Sequence, residues 1–88
     1  MGHMTKAYTF RDWHIPDYMM LSIKRYVKER KPVGKFLTAV ICNNLHDACS
    51  FADDVNIHNL PAYMAYFYNE TPWDCWGTPK KMKEWLKK

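Results

Sequence analysis

The segment from Gly34 to Asp53 constrains the fold most, because it is the longest stretch with helical periodicity and without an interior glycine or proline. Its apolar residues recur at steps of three and four and therefore share one stripe of a helix; they are Leu37, Val40, Ile41, Ala48, Phe51 and Ala52. Asn44 interrupts that stripe. We expect its amide to be buried and hydrogen-bonded, since a buried amide without partners costs about 1–3 kcal/mol. The pattern predicts one continuous central helix.

Proline positions predict a helix before this segment. Pro16 suits the first turn of a helix, where its missing N–H costs nothing. Pro32 ends that helix, since a residue before proline resists the α conformation. We therefore expect a helix over about residues 16–30. The short connection to the central helix favours an antiparallel helical hairpin.

Prolines also predict two helices after the central segment. Pro61 suits a helix start, so we expect a third helix from there to about Glu70, with Asn59 or Leu60 as its cap. Whether residues 54–59 form a loop or a short helical turn stays open. Thr78 and the proline after it predict a short C-terminal helix.

These segments predict an all-α protein: a small helical hairpin or bundle of three main helices plus a short C-terminal helix. Residues 1–3 are interpreted as a cloning remnant, which leaves residues 4–88 as a single helical domain. Residues 5–14 lack a clear period, and we expect an extended arm or a short turn there.

The apolar content is high for a chain of 88 residues, with 48% hydrophobic and 16% aromatic residues. So small a domain buries a limited share of its surface, so some of these side chains must stay exposed, which favours association. We expect a homo-oligomer. Because no apolar run approaches the roughly 20 residues of a membrane span, we also expect a soluble, cytosolic protein without a membrane partner.

The charges are segregated along the chain. Residues 1–35 carry eight Lys or Arg and three acids, residues 36–78 carry five acids and no Lys or Arg, and residues 79–88 carry five Lys and one Glu. The basic ends could pair with the acidic middle of the same copy or of a neighbouring copy. Alternatively they bind nucleic acid through Lys24, Lys28, Lys31 and the tail from Lys80 to Lys88.

A metal site is the first chemical possibility. Cys42, His46 and Cys49 are spaced so that one flank of a helix could hold zinc, with Cys75 or His58 as a fourth ligand. The alternative, which we adopt, is that these cysteines are free thiols that behave as small apolar residues. We expect no metal and no cofactor.

Signatures of catalysis are missing from the sequence. It contains no nucleophile elbow, phosphate loop or dinucleotide fingerprint. The adjacent carboxylates Asp53 and Asp54 are better explained as a helix cap. We expect a protein that is not an enzyme.

Aromatic residues are the better functional candidates. Trp73 and Trp76 lie in a turn-rich linker that ends at Gly77. A flat aromatic ring stacks on a nucleobase with about 1–3 kcal/mol per base, but it also anchors protein interfaces or fills a core. The spacing leaves these alternatives open.

Five segments of the chain together are similar to a family of small tailed-phage and prophage proteins. They are IPDYM (15–19), PVGKFLTAVICNNL (32–45), ADDVN (52–56), FYNETP (67–72) and CWGTP (75–79). Pro61 departs from the family pattern, in which the segment after ADDVN continues as a helix. The resemblance implies an accessory protein made in the host cytoplasm. Such proteins often counter host defences by blocking a host protein or by sequestering a nucleotide signal.

We therefore expect a non-enzymatic binding protein that captures a nucleotide-like ligand. At the start of the central helix, Lys35 and Thr38 would meet an anion. Amide contacts would come from Asn43 or Asn44, Asn56 and Asn69, and stacking from Trp73 and Trp76. The alternatives are an inhibitor that binds a host defence protein, or a small nucleic-acid-binding protein.

Overall fold

The structure, a computed structural model, describes residues 7–88, so the expected cloning remnant lies outside the described residues. Two short strands, β1 (Tyr8–Phe10) and β2 (Trp13–Ile15), come first. The helices that follow are α1 (Asp17–Glu29), α2 (Lys35–Ile41), α3 (Leu45–Phe51), α4 (Asp54–His58), α5 (Leu60–Glu70) and α6 (Pro79–Leu86), with a 3-10 turn at Trp73–Cys75. Within these residues the protein is mainly helical, as predicted, but the N-terminal arm forms a two-stranded sheet, and six helices replace the expected three main helices and one short helix.

The N-terminal arm is an antiparallel β-hairpin. Tyr8 pairs with Ile15 and Phe10 with Trp13. Arg11 adopts a left-handed backbone in the tight turn between the strands. The hairpin packs on α5, and Ile15 is fully buried. The sequence signal was weak because a three-residue strand is too short to establish an alternating pattern.

Helix α1 confirms the first predicted helix to within about a residue at each end. Pro16 stands at its N-cap position, and the backbone turns left-handed at Arg30 (φ 55°). The Arg30 N–H donates to the Tyr26 carbonyl, and the N–H of the next residue donates to the Arg25 carbonyl. The buried residues of α1 are Met20, Ile23 and Tyr26, which lie on one stripe of the helix.

The predicted central helix is broken into α2 and α3. Asn43 between them has a left-handed backbone, with φ 60°. Asn44 is exposed and caps α3, because its side-chain oxygen accepts a hydrogen bond from the Asp47 N–H at 3.1 Å. The expectation of a continuous helix with a buried Asn44 is therefore wrong. Asparagine tolerates the left-handed region, which Asn43 occupies. An asparagine side chain can also bond to a backbone N–H outside a helix, as Asn44 does here.

The break between α2 and α3 changes which side chains of the predicted apolar stripe reach the core. Of α3 only Ala48 is buried, and Phe51, which the periodicity assigned to the core, is 49% exposed. Helix α2 packs most closely on α3. The main helical pair is therefore α2 with α3, rather than α1 with one long central helix.

Helices α4 and α5 resolve the segment that the sequence left open. Residues Asp54–His58 form a short helix, and the Asp53 carboxylate accepts from the Asn56 N–H at 2.8 Å. The predicted third helix is confirmed, since α5 follows Asn59 and contains Pro61 in its first turn. The helical cap that was proposed for Asp53 is present.

Buried tyrosines organise the core. The Tyr26 hydroxyl donates to the carbonyl of Cys75 at 2.7 Å, and the Tyr63 hydroxyl donates to the Asn56 side chain at 2.6 Å. The indole N–H of Trp85 donates to the Tyr26 carbonyl at 3.1 Å. The two bonds of Tyr26 fix the C-terminal segment to α1, and the Tyr63 bond joins α5 to α4. Within residues 7–88, no helix combines the length and apolar character needed to cross a bilayer.

Candidate functional site

The predicted ligand residues do not converge on one site. Lys35, Thr38 and Asn44 line one open depression between α2 and α3, together with Asp47 and the exposed Phe51. Phe51 is a residue that sequence reasoning missed there, because the predicted continuous helix turned it toward the core. Three of the eight predicted residues are thus brought together.

This depression is a poor anion site. The Lys35 ammonium lies 5.5 Å from the centre of the Phe51 ring, but the Asp47 carboxylate lines the same depression and repels an anion. Helix α2 has only seven residues, so its dipole is small. The structure therefore gives little support to the predicted anion contact of Lys35 and Thr38.

The other predicted asparagines lie elsewhere. Asn43 lines an apolar cleft between α2 and α5, beside Leu45 and Met64. Asn56 is buried and bonds to Tyr63, while Asn69 is exposed near the end of α5. The Asn56 side chain is therefore engaged within the core.

The cysteines and the histidine that could have held zinc do not lie on one helix. Cys42 lies outside α3, which carries His46 and Cys49, and Cys75 is buried in the core. Among residues 7–88, no group of three or more His, Cys, Asp or Glu side chains could hold a metal ion. Burial raises the pKa of the Cys75 and Cys42 thiols, which keeps both as thiols at neutral pH.

The two linker tryptophans have different environments. Trp76 is partly buried and packs against Phe67, with ring centres 5.9 Å apart. Trp73 is 76% exposed. Core filling therefore describes Trp76, and only Trp73 presents its ring for recognition.

Around Trp73 lies a cationic and aromatic depression, which we call the Trp73–Lys81 surface. It is lined by Trp73, Asp74, Thr78, Lys80, Lys81, Glu84, Trp85 and Lys88. Its residues come from the 3-10 turn and from α6. Three lysines face two carboxylates, so its net charge is positive.

Contacts within the surface hold its cations near its rings. The Lys81 ammonium lies 4.9 Å from the centre of the Trp73 ring and donates to the Trp73 carbonyl at 3.4 Å. The Lys88 ammonium lies 4.7 Å from the Trp85 ring centre. It also bonds to the Asp74 carboxylate at 3.1 Å, which lowers the pKa of Asp74 below its ordinary value. Asp74 is therefore ionised and paired with Lys88, and the remaining Lys80 and Lys81 outnumber the remaining carboxylate, Glu84, by one.

Local sequence explains how this surface is built. The Thr78 hydroxyl accepts from the Lys81 N–H at 3.0 Å and caps α6, which begins at Pro79. Gly77 has φ 115°, a backbone that favours glycine, and its N–H donates to the Ile41 carbonyl at 2.6 Å. The linker is therefore anchored to α2 while Trp73 stays outside.

Sequence reasoning found only part of this surface. It selected Trp73 as a stacking residue and Lys80 to Lys88 as a basic tail, but as features of separate hypotheses. The helix start at Thr78 was the available signal, because it places Lys81 one turn into α6 and close to the preceding linker.

No family model matches this chain, and no match is found among curated proteins or solved structures.

Proposed function

We propose that this protein is a non-enzymatic binding protein that captures a nucleotide-like ligand at the Trp73–Lys81 surface. The observation that carries the proposal is the exposed Trp73 ring with the Lys81 ammonium beside it. A ligand that combines an aromatic base with a phosphate would engage both groups at once.

The energetics favour recognition by stacking and charge. A base that stacks on Trp73 contributes about 1–3 kcal/mol, and the 76% exposure of that side chain leaves much of the ring open. Lys80 and Lys81 would face the phosphate. Because Lys88 already neutralises Asp74, that carboxylate would not repel it.

The Asp74 carboxylate at this surface suits binding rather than general acid or base catalysis. A general acid or base works best when its pKa lies near the operating pH. The pKa of Asp74 is shifted downward, away from neutrality.

The proposed biological role follows from the resemblance to phage accessory proteins. In the host cytoplasm, a small protein that sequesters a nucleotide signal would blunt a defence that depends on that signal. The same stacking and charge would also suit a single-stranded nucleic acid, so the experiment must separate the two ligand classes.

The test is calorimetric titration of the protein with nucleoside monophosphates, cyclic dinucleotides and a single-stranded oligonucleotide. We expect saturable binding of a nucleotide, weakened about tenfold or more by Trp73→Ala, since a lost stack is worth about 1–3 kcal/mol. Lys81→Ala should also weaken it. Lys83→Ala is the matched control, because Lys83 is an exposed lysine of α6 that does not line the surface.

Thermal melting of each variant verifies that the fold survives. Binding of the oligonucleotide alone, lost steeply as salt rises, would instead assign the surface to nucleic acid. If neither ligand class binds, the proposal is wrong and the alternative of an inhibitor that uses Trp73 as a protein anchor gains support.

A further inference from the structure

Exposed apolar side chains are concentrated on α3 and α4. We call this surface the α3–α4 face and define it by Leu45, Phe51, Val55 and Ile57, which are all more than 40% exposed. The segment from Leu45 to Asn59 also carries Asp47, Asp53 and Asp54 and no Lys or Arg. The face is therefore apolar and acidic.

Within the described residues, Lys35 lies near this face, with its ammonium 5.5 Å from the centre of the Phe51 ring, but it forms no salt bridge with Asp47, Asp53 or Asp54. Among residues 7–88, the salt bridges are His46 with Asp47 and Lys88 with Asp74. The expected pairing of the basic ends with the acidic middle is thus limited to Asp74. A complementary partner for the α3–α4 face should be apolar and basic.

Helix α1 presents such a surface, which we call the α1 face. Tyr18 and Leu21 are exposed apolar residues, and Arg25 and Lys28 are exposed cations. Their spacing of three, four and three residues places them on one stripe of the helix. From Asp17 to Lys31 the chain carries five basic and two acidic residues.

The two faces lie side by side on the molecule. The His14 N–H, just before α1, donates to the Asn59 side chain just after α4 at 2.8 Å. The Tyr18 end of α1 therefore adjoins the α3–α4 face.

We propose that two copies of this chain form a symmetric dimer in which the α1 face of each copy covers the α3–α4 face of the other. In a two-fold dimer the same surface is used by both copies and must be complementary to itself. Adjacent basic and acidic faces meet that requirement, because the two-fold rotation matches both pairs together. Apolar contact then removes Leu21, Val55 and Ile57 from water.

Complementary charge reversal provides the test. One variant, Asp53→Asn with Asp54→Lys, reverses the charge at the start of α4, where a lysine replaces one of two acids and asparagine the other, and it keeps a capping side chain on α4. The second, Arg25→Glu with Lys28→Glu, makes the α1 face acidic. The control, Lys83→Glu with Lys87→Glu, changes as much charge as the second variant, at exposed positions of the C-terminal segment outside both faces.

The readout is mass by sedimentation equilibrium at micromolar concentration and low salt. We expect the wild type and the control at twice the 10.6 kDa chain mass, each reversal variant as a monomer, and their equimolar mixture as a dimer again. Circular dichroism verifies that each variant is folded.

A monomeric wild type would overturn the proposal. It would also be overturned if the reversal variants remain dimers, or if the folded variants fail to associate when mixed. A mass that grows beyond the dimer would contradict the symmetric arrangement and indicate open head-to-tail assembly. These outcomes are independent of nucleotide binding at the Trp73–Lys81 surface.

Discussion

Trp73 and Trp76 lie three residues apart in the chain but have different environments. Both lie in the same aromatic linker, and the sequence treats them alike. In the fold, the 3-10 turn at Trp73–Cys75 directs Cys75 into the core. Trp76, the next residue, packs against Phe67, whereas Trp73 remains exposed. Position within the turn therefore decides which ring is structural.

Alanine substitution should separate the two tryptophans by stability. Trp76→Ala removes a partly buried ring and should lower the free energy of unfolding by about 2–3 kcal/mol, somewhat less than for a fully buried tryptophan. Trp73→Ala should change it by less than about 0.5 kcal/mol, as for other exposed positions. Urea unfolding of both variants checks this. Equal losses would mean that Trp73 is also part of the core.

At the scale of elements, the break between α2 and α3 sets the shape of the α3–α4 face. The left-handed Asn43 ends one helix, and Asn44 begins the next by capping it. The Asn44 N–H donates to the Ala39 carbonyl at 2.8 Å. Without this corner, Phe51 would turn toward the core and the α3–α4 face would lose one of its apolar residues.

Substitution of Asn43 should report on the corner. Asn43→Val should destabilise the protein by about 1–2 kcal/mol, because a β-branched residue resists the left-handed region. Asn43→Gly should be neutral or slightly stabilising, since glycine adopts that region freely. Asn69→Val is the control, because Asn69 is an exposed asparagine inside α5. Equal melting temperatures for the valine and glycine variants at position 43 would contradict the left-handed backbone.

At the scale of the whole molecule, the core joins distant segments through phenol groups. Tyr26 and Tyr63 are fully buried, and burial raises the pKa of both above the ordinary value for tyrosine. The pKa of the buried Cys75 thiol is raised as well. These groups are neutral in the folded state over a wider range of pH than in the unfolded chain.

Alkaline pH should therefore destabilise the fold. A group whose pKa is raised in the folded state contributes its full stabilisation below the pKa that it has in the unfolded chain. That contribution is lost as the pH rises toward the pKa of the folded state. The loss should begin near the ordinary thiol pKa of about 8.5 and steepen above about 10, where tyrosine ionises in the unfolded chain. Urea unfolding between neutral pH and pH 11 measures it.

The Tyr26→Phe variant serves as the control for this pH dependence. It should show a shallower loss above about pH 10, because one ionising phenol is gone. It should also be less stable at neutral pH by about 1–2 kcal/mol, since the Cys75 carbonyl loses its donor. An unfolding free energy that stays constant up to pH 11 would show that the phenols do not control stability.

The sequence by itself determined the features that depend on a few neighbouring residues. Pro16, Pro61 and the Thr78 cap predicted where α1, α5 and α6 begin, and the structure confirms all three. Capping and proline sterics act within one helical turn, so they can be read locally. The helical majority of the fold follows from the same local rules.

Only the tertiary structure decided the rest. Periodicity could not predict that Asn43 and Asn44 turn a corner rather than continue a helix, because the gain depends on how α3 then packs on α2. Nor could it separate Trp73 from Trp76, since that outcome depends on the bond from Gly77 to Ile41 and on the bond from Tyr26 to Cys75. Such contacts join residues far apart in the chain, and their energies are realised only when the distant segments are packed together.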